Sequence, residues 1–180
     1  MSFLDSFFGK GSCLGVDIGT TSIKIAEISK GKKRPSLLNY GVLETYGHLE
    51  RVNDVIQTSS LKIAEQETAN LLKSLVDKMG VRSREAIVSM PAFSSFLTSL
   101  EVPEMSDAET IKAVSFQIRQ HIPLPVTEVS IDWIRGAKHQ DDKGNTTREI
   151  LLISIPNEHI KRYQTIFKLA GLDLVAIELE

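Results

Sequence analysis

The sequence predicts a mixed α/β protein, and three observations carry that reading. Short apolar runs with period-two alternation recur along the chain, other stretches space their apolar residues by three and four, and glycine or proline stands where these runs stop. With 180 residues, 42 % hydrophobic and 24 % charged, the chain can bury one substantial core or two small ones.

Residues 14–18 read as a strand ending in a Gly-Thr-Thr turn. Residues 22–28 read as a second strand, with Ile23 and Ile25 on one face and Lys24 on the other, and residues 36–43 as a third, which makes a meander. Between the last two lies the short basic run of residues 30–34, expected as a solvated hairpin tip. Leu61, Ala64, Thr68, Leu72, Leu75 and Met79 form one helical stripe, and Gly80 stops it. A strand over 86–90 closes at Pro91, and another over 96–102 closes at Pro103.

Ser106 and Glu109 are spaced as a capping box, in which each side chain satisfies a free backbone N–H. The helix it opens is expected to bury Ile111, Val114, Ile118 and Ile122 and to end at Pro123. Strands follow over 129–137 and 149–155, the second so apolar that burial on both faces is expected. A last helix, expected to be capped by Asn157, runs to Gly171, and residues 174–179 read as a final strand. That strand has no polar tail or closing helix behind it, so the chain reads as cut in mid-fold.

Composition excludes several function classes. A net charge of −2 offers no concentrated basic surface, so no nucleic acid is expected as partner. Cys13, the single cysteine, allows neither an internal disulfide nor a CxxC metal site and suits a reducing cytosol. No run approaches the roughly 18 to 20 apolar residues that cross a bilayer, so no transmembrane segment is expected. The start of the chain lacks the basic and apolar regions of a signal peptide. Phe3, Leu4, Phe7 and Phe8 share one face of a short helix there, which fits a membrane, a partner or the protein's own surface. His48, His121, His139 and His159 are scattered without metal-ligand spacing, and Asp141-Asp142 reads as a solvated loop.

One motif carries chemistry: Gly15-Val16-Asp17-Ile18-Gly19-Thr20-Thr21-Ser22-Ile23-Lys24. An apolar strand delivers the Asp17 carboxylate to the mouth of a turn, and Gly19 lets the backbone approach a ligand without a Cβ in the way. The N–H groups and hydroxyls of Thr20, Thr21 and Ser22 would wrap an anionic phosphate, with the Lys24 ammonium beside it. Asp17 would hold Mg²⁺ through water, since Mg²⁺ commonly keeps several waters. The same string also fits a plain tight hairpin with an exposed lysine; its place between two apolar strands favours the phosphate reading. It is neither a P-loop nor a GxGxxG fingerprint.

The stretch LGVDIGTTSIKIAEI resembles the first phosphate loop of the actin, Hsp70 and sugar-kinase superfamily. Later features are similar to the type IV pilus assembly PilM family: MPA after a strand, LEVPEMS before a helix, an HIPLP helix exit, and a final helix leading to AGL. The resemblance runs over residues 12–180 and covers the N-terminal portion of such a protein.

The resemblance implies the first lobe of an actin-like (ribonuclease H-like) fold with an inserted strand–helix–strand–strand domain, as the division protein FtsA also has. The expected organisation is an N-terminal segment over 1–11, an actin-like lobe from 12–85 and 157–180, and an insert over 86–156. It implies ATP and Mg²⁺ as cofactors, held by Asp17, Gly19, Thr20, Thr21, Ser22 and Lys24, with Asp17 on the metal side. It also implies a cytoplasmic protein, peripheral to the inner membrane, that binds the short cytoplasmic tail of a PilN-like membrane protein and other proteins of the pilus assembly platform. Phe93, Phe96 and residues 121–126 carry the apolar and proline-fixed character that a groove for an extended peptide needs, and each taken singly also fits an ordinary core or turn position. The superfamily's second phosphate loop and adenosine segment are absent from the sequence, so no ATP turnover and only weak nucleotide binding are expected of this chain alone. Alternatives are a sugar or small-acid kinase of the same superfamily and an FtsA-like division filament.

Overall fold

The computed structural model describes residues 11–29, 34–45, 58–121, 124–140 and 144–180. The expected N-terminal helical face, residues 30–33 of the basic hairpin tip, His48 and Asp141-Asp142 therefore lie outside the described residues. The chain divides into two compact units, one running through Met90 and resuming at Arg162, the other spanning Pro91–Lys161.

In the first unit the meander forms as its alternation dictates: β1 (Ser12–Ile18), β2 (Ser22–Ser29) and β3 (Ser36–Glu44) pair antiparallel. The helix α1 (Thr58–Met79) leads into β4 (Glu85–Met90). The helix α3 (Asn157–Leu169), whose second half lies in this unit, leads into β8 (Asp173–Leu179). The resulting five-stranded sheet has the order β3-β2-β1-β4-β8, with β4 parallel to both β1 and β8. Alternate residues of the central strands, Leu14, Val16, Ile23 and Ile25, form one core with Leu72 and Val76 of α1 and Ile166 and Phe167 of α3. Each such side chain contributes about 1.5–3 kcal/mol on full burial.

The helix ends follow from their glycines. Gly171 takes φ 75°, where an L side chain is strained, and its N–H donates to Lys168 O at 3.1 Å while Leu172 N–H donates to Phe167 O at 2.9 Å. Gly41 answers a different need. A Cβ there would lie 2.7 Å from Met79 Sδ and 2.9 Å from Leu75 Cδ1, so any other residue would make these side chains shift.

The buried Glu27 ties the sheet to the turn before β4. Its Oε1 accepts hydrogen bonds from Ser12 Oγ at 2.7 Å, Arg82 N–H at 3.0 Å and Ser83 N–H at 3.1 Å. Burial pushes this carboxyl's pKa up, but those hydrogen bonds and the Arg82 charge outweigh it and hold the group below its ordinary value.

The second unit contains β5 (Phe96–Pro103), α2 (Asp107–His121), β6 (Val129–Gln140) and β7 (Thr146–Pro156). This is the strand–helix–strand–strand order expected of the insert. Its antiparallel sheet has the order β5-β7-β6. Leu100, Val102, Val114, Val129, Ile150 and Leu152 form its core, with Trp133 packed against them. The capping box is present: Ser106 Oγ and N–H donate to Glu109 Oε2 at 2.7 and 3.0 Å, and Glu109 N–H returns to Ser106 Oγ at 3.4 Å.

Four expectations differ from the structure. The insert is expected over 86–156, but β4 pairs with β1 and β8 and so belongs to the first unit, and the second unit takes in the first turn of α3, so that it spans Pro91–Lys161. Ile111 is exposed because the helix turns Thr110 and Val114 toward the core, while Ile118 and Ile122 lie outside what the structure describes. β7 is fully buried on one face alone, by Ile150, Leu152 and Ser154, while on the other Leu151 is exposed and Ile153 half-buried. Asn157 does not cap its own helix. Its Oδ1 accepts from Ser130 Oγ at 2.8 Å and its Nδ2 donates to Thr127 O at 3.1 Å.

Candidate functional site

The hairpin between β1 and β2 gathers the residues singled out by the motif. Asp17 and Lys24 stand opposite each other in the antiparallel register, and Lys24 Nζ lies 3.0 Å from Asp17 Oδ2. Gly19 N–H donates to Ser22 O at 2.9 Å, which leaves Thr20 and Thr21 exposed at the tip of the turn. A Cβ on Gly19 would come within 3.2 Å of Ser22 O, so this closure is tight for any other residue. Ser22 opens β2 and is half-buried.

The sheet register extends the site beyond the hairpin. Asp17 is the partner of Ser89 on β4, Ser89 the partner of Glu178 on β8, and Lys24 the partner of Val42 on β3. These residues form one row on the sheet face opposite the buried Leu14 and Val16. A depression of about 420 Å³ lies on this face, lined by Asp17, Lys24, Tyr40, Val42, Ser89 and Glu178 among others. Asp17, Ser89 and Glu178 all fall near the carboxyl ends of parallel strands, where open α/β sheets bind their ligands.

Three further residues stand at the site that the sequence reading did not single out. Ser89 Oγ donates to Glu180 Oε1 at 3.3 Å. Tyr163 on α3 has its phenol pKa raised, first by burial and further by the negative charges of Asp17 and Glu180, against an opposing effect of Arg162. Thr45 donates its N–H to Thr21 O at 2.8 Å, behind the turn, and its buried Oγ1 has no hydrogen-bond partner among the described residues. No sequence signal separates Ser89 or Tyr163 from ordinary strand and helix residues, because their proximity to Asp17 is created by strand order and helix packing.

The donor set fits a phosphate group accompanied by a hydrated cation. Hydroxyls and backbone N–H groups surround the turn, an ammonium stands beside it, and one half-exposed carboxylate faces outward. Among the described residues no group of three His, Cys, Asp or Glu side chains is placed to hold a metal directly.

Residues 15–180 match the family described as type IV pilus assembly protein PilM. Among solved structures, a PilM–PilN type IV pilus biogenesis complex is similar in fold, with a TM-score of 0.73 at 21 % identity, over 95 % of this chain and 48 % of that one. The cytoplasmic domain of EpsL, an inner-membrane component of the type II secretion system of Vibrio cholerae, matches with a TM-score of 0.54 at 12 % identity, over 93 % of this chain and 57 % of that one. The chain thus spans about half the length of the solved relatives it matches.

Proposed function

The chain belongs to the type IV pilus assembly PilM family, and from that premise we propose that it acts as a cytoplasmic ATP-binding scaffold, holding the tail of a PilN-like protein at the inner membrane. The observation that carries the nucleotide part is the position of the Asp17–Lys24 hairpin. It lies at the carboxyl end of β1, beside the carboxyl ends of β4 and β8, where an open parallel sheet receives ligands. Thr20, Thr21 and Ser22 would hold a phosphate through hydroxyls and N–H groups, Lys24 would neutralise it, and Asp17 would hold Mg²⁺ through water. When bound, MgATP would supply the anionic phosphate and the hydrated cation that these groups suit.

In the resting hairpin Lys24 is paired with Asp17, so binding exchanges that ion pair for two new ones, ammonium to phosphate and carboxylate to hydrated cation. These residues supply one lobe's share of the contacts, and binding to this chain is accordingly weak. Amide NMR of the labelled chain titrated with MgATP tests the reading. Shifts centred on residues 19–24 that Asp17→Ala abolishes support it; shifts centred elsewhere, or retained in the variant, contradict it.

The partner reading rests on family membership and on the second unit's surface. Phe93 is 86 % exposed and Phe96 37 %. Pro125 holds extended, polyproline-like backbone at φ −56°, ψ 136°. Aromatic side chains with proline-fixed backbone suit an extended peptide. Phe96→Asp is expected to abolish binding of a PilN-like tail peptide.

A further inference from the structure

The run Ile150-Leu151-Leu152-Ile153 has the composition of a strand buried on both faces, yet the second unit covers one. On the other face the register sets Leu97 against Ile153 and Ser99 against Leu151, with Ile134 of β6 on the far side of Leu151. Leu97 is 48 % exposed, Ile134 56 % and Leu151 37 %. Together they form a contiguous apolar strip across three strands.

Among the described residues of these strands, the charges on this face share one sign. Glu101 and Glu149 stand directly opposite each other on β5 and β7, and Asp132 stands opposite Ile153 from β6. Like charges placed face to face across a strand pair destabilise it. Glu149 Oε1 accepts from Ser99 Oγ at 2.7 Å and Asp132 Oδ1 from Trp133 N–H at 2.8 Å, but neither donor carries a charge. The cations of these strands sit on the covered side: Arg135 pairs with Asp107, and Lys138 and Arg148 both pair with Glu104.

We propose that this face docks a basic amphipathic segment of another protein, with apolar residues against Leu97, Ile134 and Leu151 and lysine or arginine against Glu101, Asp132 and Glu149. Charge complementarity selects this occupant. A second copy of the same face would bring carboxylates onto carboxylates, and an acidic partner would do likewise. A basic segment removes the Glu101–Glu149 repulsion as it binds, so part of its affinity comes from relief of a cost already present in the free protein. The proposal is independent of the nucleotide and tail-peptide readings, which use other surfaces.

The experiment is amide NMR of the whole labelled chain with an amphipathic peptide of leucine and lysine, and with its leucine–glutamate counterpart. Expected are shifts centred on Leu97–Glu101, Asp132–Ile134 and Glu149–Leu151 with the basic peptide and none with the acidic one. Glu101→Gln combined with Glu149→Gln should weaken binding roughly tenfold, and Ile134→Thr by a similar factor. The two Gln substitutions remove a repulsion and Thr keeps a β-branched residue on the strand, so both variants should retain the wild-type spectrum elsewhere. Shifts centred on another face, equal response to both peptides, no response to either, or self-association lost in Ile134→Thr would each overturn the proposal.

Discussion

Lys24 and Asp17 face each other across the β1–β2 hairpin with Nζ 3.0 Å from Oδ2, so the two charged residues of the phosphate motif neutralise one another in the ligand-free protein. The lysine side chain is 57 % exposed and the aspartate 31 %, which places the pair among surface ion pairs worth about 0–1 kcal/mol. Lys24→Ala should therefore change unfolding free energy in urea by less than about 1 kcal/mol. The same variant should lose most of the MgATP response. A large loss of stability would assign Lys24 a structural role.

Tyr163 reports on the same site from α3. Burial raises its pKa first, and the Asp17 and Glu180 charges raise it further. In an ultraviolet titration one tyrosine should ionise later than the others, and Asp17→Asn should bring it part of the way back. An unchanged titration in that variant would mean that Tyr163 does not sense the hairpin.

Glu27 should be among the most sensitive polar positions. Glu27→Ala leaves the N–H groups of Arg82 and Ser83 without their acceptor, at a cost of about 2–3 kcal/mol in urea unfolding. Because the folded pKa lies below the ordinary 4.5, wild-type stability from this group is present above that pH and is lost as pH falls through the folded value. Glu27→Ala should flatten that part of the acid profile.

Glu104 gives an independent acid signature in the second unit. Hydrogen bonds from Arg148, then from Lys138, push its pKa down to about 2. Its contribution is complete above the ordinary carboxylate value and disappears as pH falls toward 2. Carboxylate NMR should show Glu104 titrating last among the glutamates of its unit, and Arg148→Gln should raise its midpoint.

Local signals wrote themselves legibly into the sequence. Alternation marked β1 and β2, the Ser106–Glu109 spacing marked a capping box that forms as read, and Gly171 marked a left-handed helix end. What depended on distant parts of the chain did not show. The strand at 86–90 read equally well as the insert's first strand, because only pairing to β1 and β8 assigns it to the first sheet. Ile111 looked like core because periodicity gives a helix an apolar stripe without fixing which side of it meets the sheet. Asp17, Thr20 and Lys24 are visible as a contiguous motif, whereas Ser89 and Tyr163 come to it through folding alone.

The most direct measurement is calorimetric titration of the folded chain with a synthetic peptide of a PilN-like protein's cytoplasmic tail, alongside the Phe96→Asp variant. The account predicts saturable binding by the wild type and none by a variant that keeps its fold. A folded wild-type chain that takes up no peptide, or a variant that binds equally well, would contradict it.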